Sequence, residues 1–280
     1  MGLTAATRLT GVISISVSKQ MDSPTTEQKF ATTRRLYGEV GYRLIRQAHI
    51  CVVGLGGVGS WTVEALARTG VGALTLIDLD EICLSNINRQ VHALESTVGQ
   101  PKAAALAERI ALIAPDCLVR QQLCFLTPTN VDQQLDQSFD YVVDAIDVTR
   151  HKACLIAACK AKSLPIVTCS GAGGRTDPTR IRVNDLAQTR DDPLAAQVRR
   201  LLRREYGFPK GENCRFKVPC VCSDEPLRFP QPDGSVSAKR DKGVDYRLNC
   251  DSGFGSSAAV TGAFGFALAA HVLTAIQNNG

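Results

Sequence analysis

Apolar positions in this chain fall into short continuous runs separated by stretches of helical period, most clearly between Ile50 and Asp80. Ile50-Cys-Val-Val53 is an apolar run closed by glycine, the pattern of a strand buried on both faces of a parallel sheet. Trp61 to Arg68 has helical spacing, so Val63, Leu66 and Ala67 can face that sheet. Leu74 to Ile77 is a second buried run and ends in Asp78. A helix over Phe30 to Gln47 precedes this unit, with Arg34, Arg35, Arg43 and Arg46 on polar faces. Downstream, a helix opens at Val98-Gly-Gln-Pro101-Lys102 and is ended by Pro115. Leu118 to Leu123 reads as a strand, as does Tyr141 to Asp147. A helix over Arg150 to Ser163 and a strand over Ile166 to Thr168 follow. Strands alternating with helices predict an α/β fold with a doubly wound, mostly parallel (Rossmann-like) sheet.

Past Ser170 the pattern changes. Gly171-Ala-Gly-Gly174 is a glycine turn, and Ile181 to Asn184 reads as a strand. Asp191-Asp192-Pro193 caps a helix through Arg204, with Leu194, Val198, Leu201 and Leu202 on one face and Arg199, Arg200, Arg203 and Arg204 opposite. Residues 207–250 carry five prolines and read as loop-rich, and Ser252 to Ile276 is apolar and rich in glycine and alanine. That last segment is long enough to span a bilayer, but its small and hydroxyl residues favour a core helix covering the sheet. Peripheral membrane association through this segment is the alternative reading.

Composition adds bounds. The 280 residues, 44% hydrophobic and 21% charged, are those of an ordinary globular protein. A net charge of +5 permits a polyanionic partner without requiring one. Eleven cysteines with no C-x-x-C pair fit free thiols in a reducing cytoplasm better than a disulfide scaffold. Cys214, Cys220, Cys222 and Cys250 match no strong zinc spacing. Residues 1–28 read as a disordered arm, or as the product of a start codon upstream of a true one at Met21.

The candidate chemistry lies in the glycine loop. Gly54, Gly56 and Gly59, with Gly57 between, give G-x-G-x-x-G spacing, which turns a strand into a helix and lets a phosphate approach the backbone. Asp78 stands where a carboxylate holds a ribose hydroxyl. This much fits a nicotinamide-dependent oxidoreductase equally well. Three further features favour ATP. Asn88-Arg89-Gln90 puts a guanidinium where a triphosphate would project, Lys102 sits at a helix start, and Asp147 ends a strand at the carboxyl edge, where a carboxylate can hold Mg²⁺.

Arg35-Leu-Tyr-Gly38, Gly54 to Ser60, Asp78-Leu-Asp80, Asn86-Ile-Asn-Arg-Gln90, Lys102 and Asp144-Ala-Ile-Asp147 together resemble the ubiquitin-activating-enzyme-like adenylating superfamily. Gly171 to Gly174, Asp177-Pro178, Asp185-Leu186, Asp191 to Leu194 and Cys250-Asp-Ser-Gly-Phe-Gly255 resemble its tRNA-modifying dehydratase branch rather than its sulfur-carrier activators. The resemblance implies a homodimer that uses ATP and Mg²⁺ to cyclise threonylcarbamoyladenosine beside the tRNA anticodon. It implies that Asp78 holds ribose, that Arg89 and Lys102 hold phosphates, that Asp80, Asn88 and Gln90 belong to the same ATP site, and that Asp147 holds the metal. Arg35 would reach into the partner's site. Cys250 occupies a place suggestive of a thioester cysteine, although an intramolecular ring closure needs none. The basic face at Arg199, Arg200, Arg203 and Arg204 is the candidate tRNA surface. The expected organisation is a single adenylating domain over 29–280, with a nucleotide half over 48–168 and a substrate half over 169–280. The rival readings are adenylation of a sulfur-carrier protein's C-terminus, an oxidoreductase, and a nucleotide-binding module that scaffolds a sulfur-transfer partner.

Overall fold

The computed structural model describes residues 24–135, 138–211, 213–240 and 254–278. In chain order its helices are α1 (Pro24–Lys29), α2 (Ala31–Gln47), α3 (Gly59–Thr69), α4 (Lys102–Ile113), α5 (Val131–Gln134), α6 (Thr149–Ala161), α7 (Pro193–Glu205) and α8 (Ala258–Asn278). The strands are β1 (His49–Val53), β2 (Ala73–Ile77), β3 (Leu118–Gln122), β4 (Tyr141–Asp144), β5 (Ile166–Cys169), β6 (Ile181–Asp185), β7 (Pro219–Ser223), β8 (Phe229–Pro230) and β9 (Val236–Ser237).

Seven strands form one sheet in the order β3-β2-β1-β4-β5-β7-β6, and β8 pairs with β9 in a separate ribbon. Every pairing in the large sheet is parallel except β6 with β7. Because side chains alternate along a strand, each central strand serves two cores. Ile50 and Val52 join Leu66, Leu106 and Phe264 in the cluster under α2, α3, α4 and α8. Cys51 and Val53 join Leu155, Ile156 and Val198 in the cluster under α6 and α7. The sheet is therefore doubly wound, as its pattern predicts.

Several elements depart from the sequence reading. Strand β7 falls inside the stretch read as loop-rich, where prolines mask a short apolar run. Pro219 opens it, a place where a strand tolerates a missing N–H, and Cys220, Val221 and Cys222 are buried. Strand β4 stops at Asp144, so Asp147 belongs to the turn beyond it. Helix α2 is interrupted at Gly38, whose φ of 71° suits a residue without Cβ. Helix α1 occupies part of the stretch read as an arm, and Thr26 bonds the Asp116 carboxylate. Residues 1–23 lie outside the described ones.

The apolar C-terminal stretch forms α8. It is long and apolar enough to cross a membrane, with mean hydropathy 1.8, yet Val260, Phe264, Leu268 and Val272 are fully buried against the sheet, α2 and α3. Covering the sheet is the structural use of this helix.

Candidate active site

A cavity of about 880 Å³ runs along the carboxyl ends of β2, β1, β4 and β5. In an open parallel sheet this is where crossovers diverge to opposite faces and leave a crevice. Gly54, Gly56, Gly57, Asp78, Asp80, Asn88, Arg89, Gln90, Lys102 and Asp147 all line it. Gly59 does not. It sits under the loop, where a Cβ would come within 1.8 Å of the Gly54 carbonyl oxygen. Helix α3 starts at Gly59, so its N-terminal dipole faces whatever anion the loop cradles.

Asp78 fixes that loop to β2. Its Oδ2 accepts from the Leu55 N–H at 2.6 Å and its Oδ1 from the Asp80 N–H at 2.8 Å. Burial nevertheless pushes its carboxyl pKa up, against the pull of Lys102. Each oxygen retains a lone pair for a sugar hydroxyl. Lys102 is itself buried and donates to Asp80 Oδ2 at 2.7 Å, so in this state its charge is held by Asp80 at the cavity wall.

Arg89 is braced on both sides. Its guanidinium Nη1 donates to the Ser85 carbonyl at 2.6 Å and to Asn88 Oδ1 at 2.9 Å. Its own carbonyl accepts from Trp61 Nε1 at 3.0 Å and from Thr261 Oγ1 at 3.3 Å. Asn88 Nδ2 reaches the Ser256 carbonyl at 3.0 Å, which ties the loop to the segment leading into α8.

A buried ion pair lies beneath Asp147. Lys152 Nζ stands 3.1 Å from Asp144 Oδ2, with both side chains at most 1% exposed. Lys152 also donates to the Ile146 carbonyl at 2.9 Å, while Asp144 accepts from Thr168 Oγ1 at 2.6 Å and the Ile146 N–H at 3.1 Å. Burial works against charge on Lys152, but Asp144 together with the nearby Cys169 and Cys220 outweighs it, so the ammonium pKa is raised. The pair fixes the turn and leaves the Asp147 carboxylate exposed at the cavity, with no hydrogen bond or ion pair among the described residues. Sequence reasoning did not single out Lys152. The available signal was its helical register with Ile156 and Cys159, which puts a lysine on an otherwise apolar face.

The far end of the cavity is built by the segment after β5. The Gly171 N–H and Arg175 Nη2 both donate to Asp192 Oδ2 at 3.1 Å, and Asp192 Oδ1 caps α7 through the Ala195 N–H at 2.8 Å. Ser170, 1% exposed, lines the cavity with a hydroxyl that has no hydrogen-bond partner among the described residues.

Other sequence-predicted residues lie elsewhere. Arg35 is exposed on α2, outside the cavity of its own chain. Arg199, Arg200, Arg203 and Arg204 surround a separate groove of about 440 Å³ together with Lys210. Arg203 lies 5.2 Å over the Phe216 ring, and Arg199 bonds Thr189. Cys250 lies outside the described residues. Cys220 and Cys222 are buried in β7, and no group of three potential ligands for a metal occurs among the described residues.

A glycine loop, a buried carboxylate just after β2, two cations and an exposed carboxylate in the turn after β4 share one cavity, the arrangement of a nucleotide-binding enzyme of the adenylating class. The model of the ThiF family matches residues 30–280. The chain belongs to that family. It is 51% identical over 247 residues to the tRNA threonylcarbamoyladenosine dehydratase of Escherichia coli strain K12, covering 88% of this chain and 92% of that one. It superposes on the structure of TcdA (CsdL) with a TM-score of 0.85 at 48% identity, over 92% of this chain and 97% of the other. The structure of E. coli TcdA in complex with ATP superposes with a TM-score of 0.82 at 46% identity and the same coverage.

Proposed function

We propose that this chain is an ATP-dependent dehydratase that converts threonylcarbamoyladenosine, next to the tRNA anticodon, to its cyclic form. The observation that carries the reading is one cavity in which Asp78, Arg89, Lys102, Asp147 and the glycine turn from Gly171 meet. The dehydratase relative that covers nearly the whole chain supports it.

A carboxylate is a poor electrophile until one oxygen becomes a good leaving group. The free carboxylate of the threonylcarbamoyl group attacks the α-phosphorus of ATP, which gives an acyl-adenylate and pyrophosphate. The carbamoyl group then closes on the activated carbonyl and expels AMP, and the net change is loss of one water. Asp78 orients the ribose, the glycine loop and α3 hold phosphate oxygens, and Arg89 and Lys102 offset the charge that develops on pyrophosphate. For Lys102 this means exchanging Asp80 for phosphate. A lone exposed carboxylate fits Mg²⁺, which is commonly held by one or two carboxylates together with substrate phosphates and water. Asp147 would hold the ion, which supplies charge neutralisation for the triphosphate.

Arg35, exposed on α2, is assigned to the partner's site of a homodimer. The groove at Arg199, Arg200, Arg203 and Arg204 is assigned to tRNA phosphates. A tRNA substrate implies a cytoplasmic enzyme, and vesicle flotation decides whether the exposed Phe266 on α8 also touches a membrane.

Mass spectrometry of nucleosides tests the function. Modified tRNA is incubated with the protein, with and without ATP, under gentle workup that spares a strained ring. ATP-dependent loss of water that Asp147→Ala and Arg89→Ala abolish is the expected result. AMP formation only when a sulfur-carrier protein is added would move the function to carrier activation and a sulfur-transfer partner. No ATP consumption in either case would overturn the phosphate site.

A further inference from the structure

We propose that Phe254 is the platform on which the purine carrying the threonylcarbamoyl group stacks, so that it governs affinity for tRNA and not for ATP. This inference rests on the dehydratase reading.

The sheet acts as a ruler along the cavity. Asp78 follows β2 and Ser170 follows β5, with β1 and β4 between them. Three strand spacings are about 14 Å. A nucleotide whose ribose sits on Asp78 has the walls of Cys124, Phe125 and Leu126 on its β3 side, while the glycine loop and Asp147 lie toward β4. Its base and phosphates are accounted for before the cavity reaches β5. The wall beyond Ser170 is left for the second reactant, whose carboxylate must meet the α-phosphate in the middle.

Among the described residues of that wall Phe254 is the aromatic one, beside the polar Gln231 and Ser256. Phe254 is half-buried and lines the cavity together with Pro230 and Pro232. Its ring centroid is 5.4 Å from that of Phe229. The glycine turn is moulded to it. A Cβ on Gly173 would lie 2.9 Å from Phe254 Cβ, and one on Gly174, where φ is +73°, would lie 2.8 Å from Phe254 Cδ1. The Gly174 N–H donates to the Gly255 carbonyl at 2.8 Å, and the Arg228 N–H donates to the Gly174 carbonyl at 2.9 Å. Two residues on, the Ser256 carbonyl is held by Asn88, so the ring is fixed relative to the phosphate loop. A fixed aromatic face with no polar group of its own offers stacking, the contact by which proteins hold unstacked RNA bases. The unpartnered Ser170 hydroxyl supplies a polar group at the same end.

The test compares wild type with Phe254→Leu, Phe254→Trp and Gly173→Ala, using modified tRNA and ATP. KM for tRNA and kcat come from the dehydration assay, and Kd for ATP comes from calorimetry. Phe254→Leu should raise KM for tRNA roughly ten- to a hundredfold, with Kd for ATP within about twofold of wild type. Phe254→Trp should keep KM near wild type. Gly173→Ala, whose new methyl displaces the ring, should reproduce the KM rise, which covers the case in which Phe254→Leu fails to fold. An unchanged KM for tRNA in Phe254→Leu and Gly173→Ala, or a parallel loss of ATP affinity, overturns the role of Phe254. Wild-type protein that never dehydrates modified tRNA overturns the functional reading itself, which is a separate outcome.

Discussion

Lys152→Met keeps the length of the side chain and removes the charge beneath the Asp147 turn. Both members of the pair are at most 1% exposed, so the Asp144 carboxylate would be left buried without a counter-charge. Removing one partner from such a pair costs about 3–5 kcal/mol. In a chain of this size that lowers Tm by on the order of 10 °C. Asp144 would keep the Thr168 hydroxyl and the Ile146 N–H, and burial already raises its pKa above 3.8. Losing Lys152 raises it further. The native variant then binds a proton more readily than its unfolded chain, so the deficit is small at low pH and grows as pH rises through the folded pKa. Asp144→Asn/Lys152→Met removes both charges and should recover most of the Tm, but not kcat, because the bond from Lys152 to the Ile146 carbonyl is still missing. Thermal melts across pH, together with turnover of modified tRNA, measure both effects. A single variant that melts within about 2 °C of wild type at neutral pH would refute the reasoning.

Three further outcomes follow from the geometry. His92 is 2% exposed, neither ring nitrogen has a hydrogen-bond partner among the described residues, and burial lowers its pKa from 6.5 to about 4. Only the unfolded chain takes up that proton between those values, so as pH falls from 6.5 to 4 this residue alone should cost about 3 kcal/mol of stability. His92→Leu should flatten that slope in pH-dependent melts, and an unchanged slope would refute the assignment. Gly59→Ala should abolish ATP binding by calorimetry, since its Cβ would lie 1.8 Å from the Gly54 carbonyl oxygen. Normal affinity would mean that the loop is not fixed as described. Arg200→Ala/Arg204→Ala should reduce the slope of log affinity for tRNA against log salt by about 1.5 and leave ATP affinity unchanged. An unaltered slope removes this groove from the tRNA path.

The unit of β1, α3 and β2 with its glycine loop was legible in the sequence because its signals are local. The glycine spacing, the apolar runs on either side and Asp78 all fall within about thirty residues, and the βαβ geometry brings them together without help from distant segments. Later elements depend on long-range partners. β7 is only five residues long and begins with proline, so its strand character comes from pairing with β5 and β6. Lys152 and Asp144 carry ordinary surface-residue identities, and their burial is decided by where α6 lies on the sheet. Strand β4 is shorter than its apolar run because Ala145-Ile146 continues the pattern while Asp144 turns back to accept the Ile146 N–H.

A shared device explains how loops hold this site. Around the carboxyl edge of the sheet, buried carboxylates accept main-chain N–H groups: Asp78 from Leu55 and Asp80, Asp144 from Ile146, Asp192 from Gly171 and Ala195, and Glu225 from Thr176 and Asp177. Each converts a flexible connection into a fixed wall, so reacting groups meet charges that need little rearrangement. The exposed Asp147 carboxylate is free of such duty. The two kinds of acid should therefore part company on neutralisation. Asp192→Asn deprives the buried Arg175 of its counter-charge and should lower both Tm and activity. Asp147→Asn should leave Tm within about 2 °C of wild type and reduce kcat more than tenfold, consistent with a group whose work is confined to the charged reactants. Equal losses of Tm in the two variants would mean that Asp147 serves the turn rather than the chemistry.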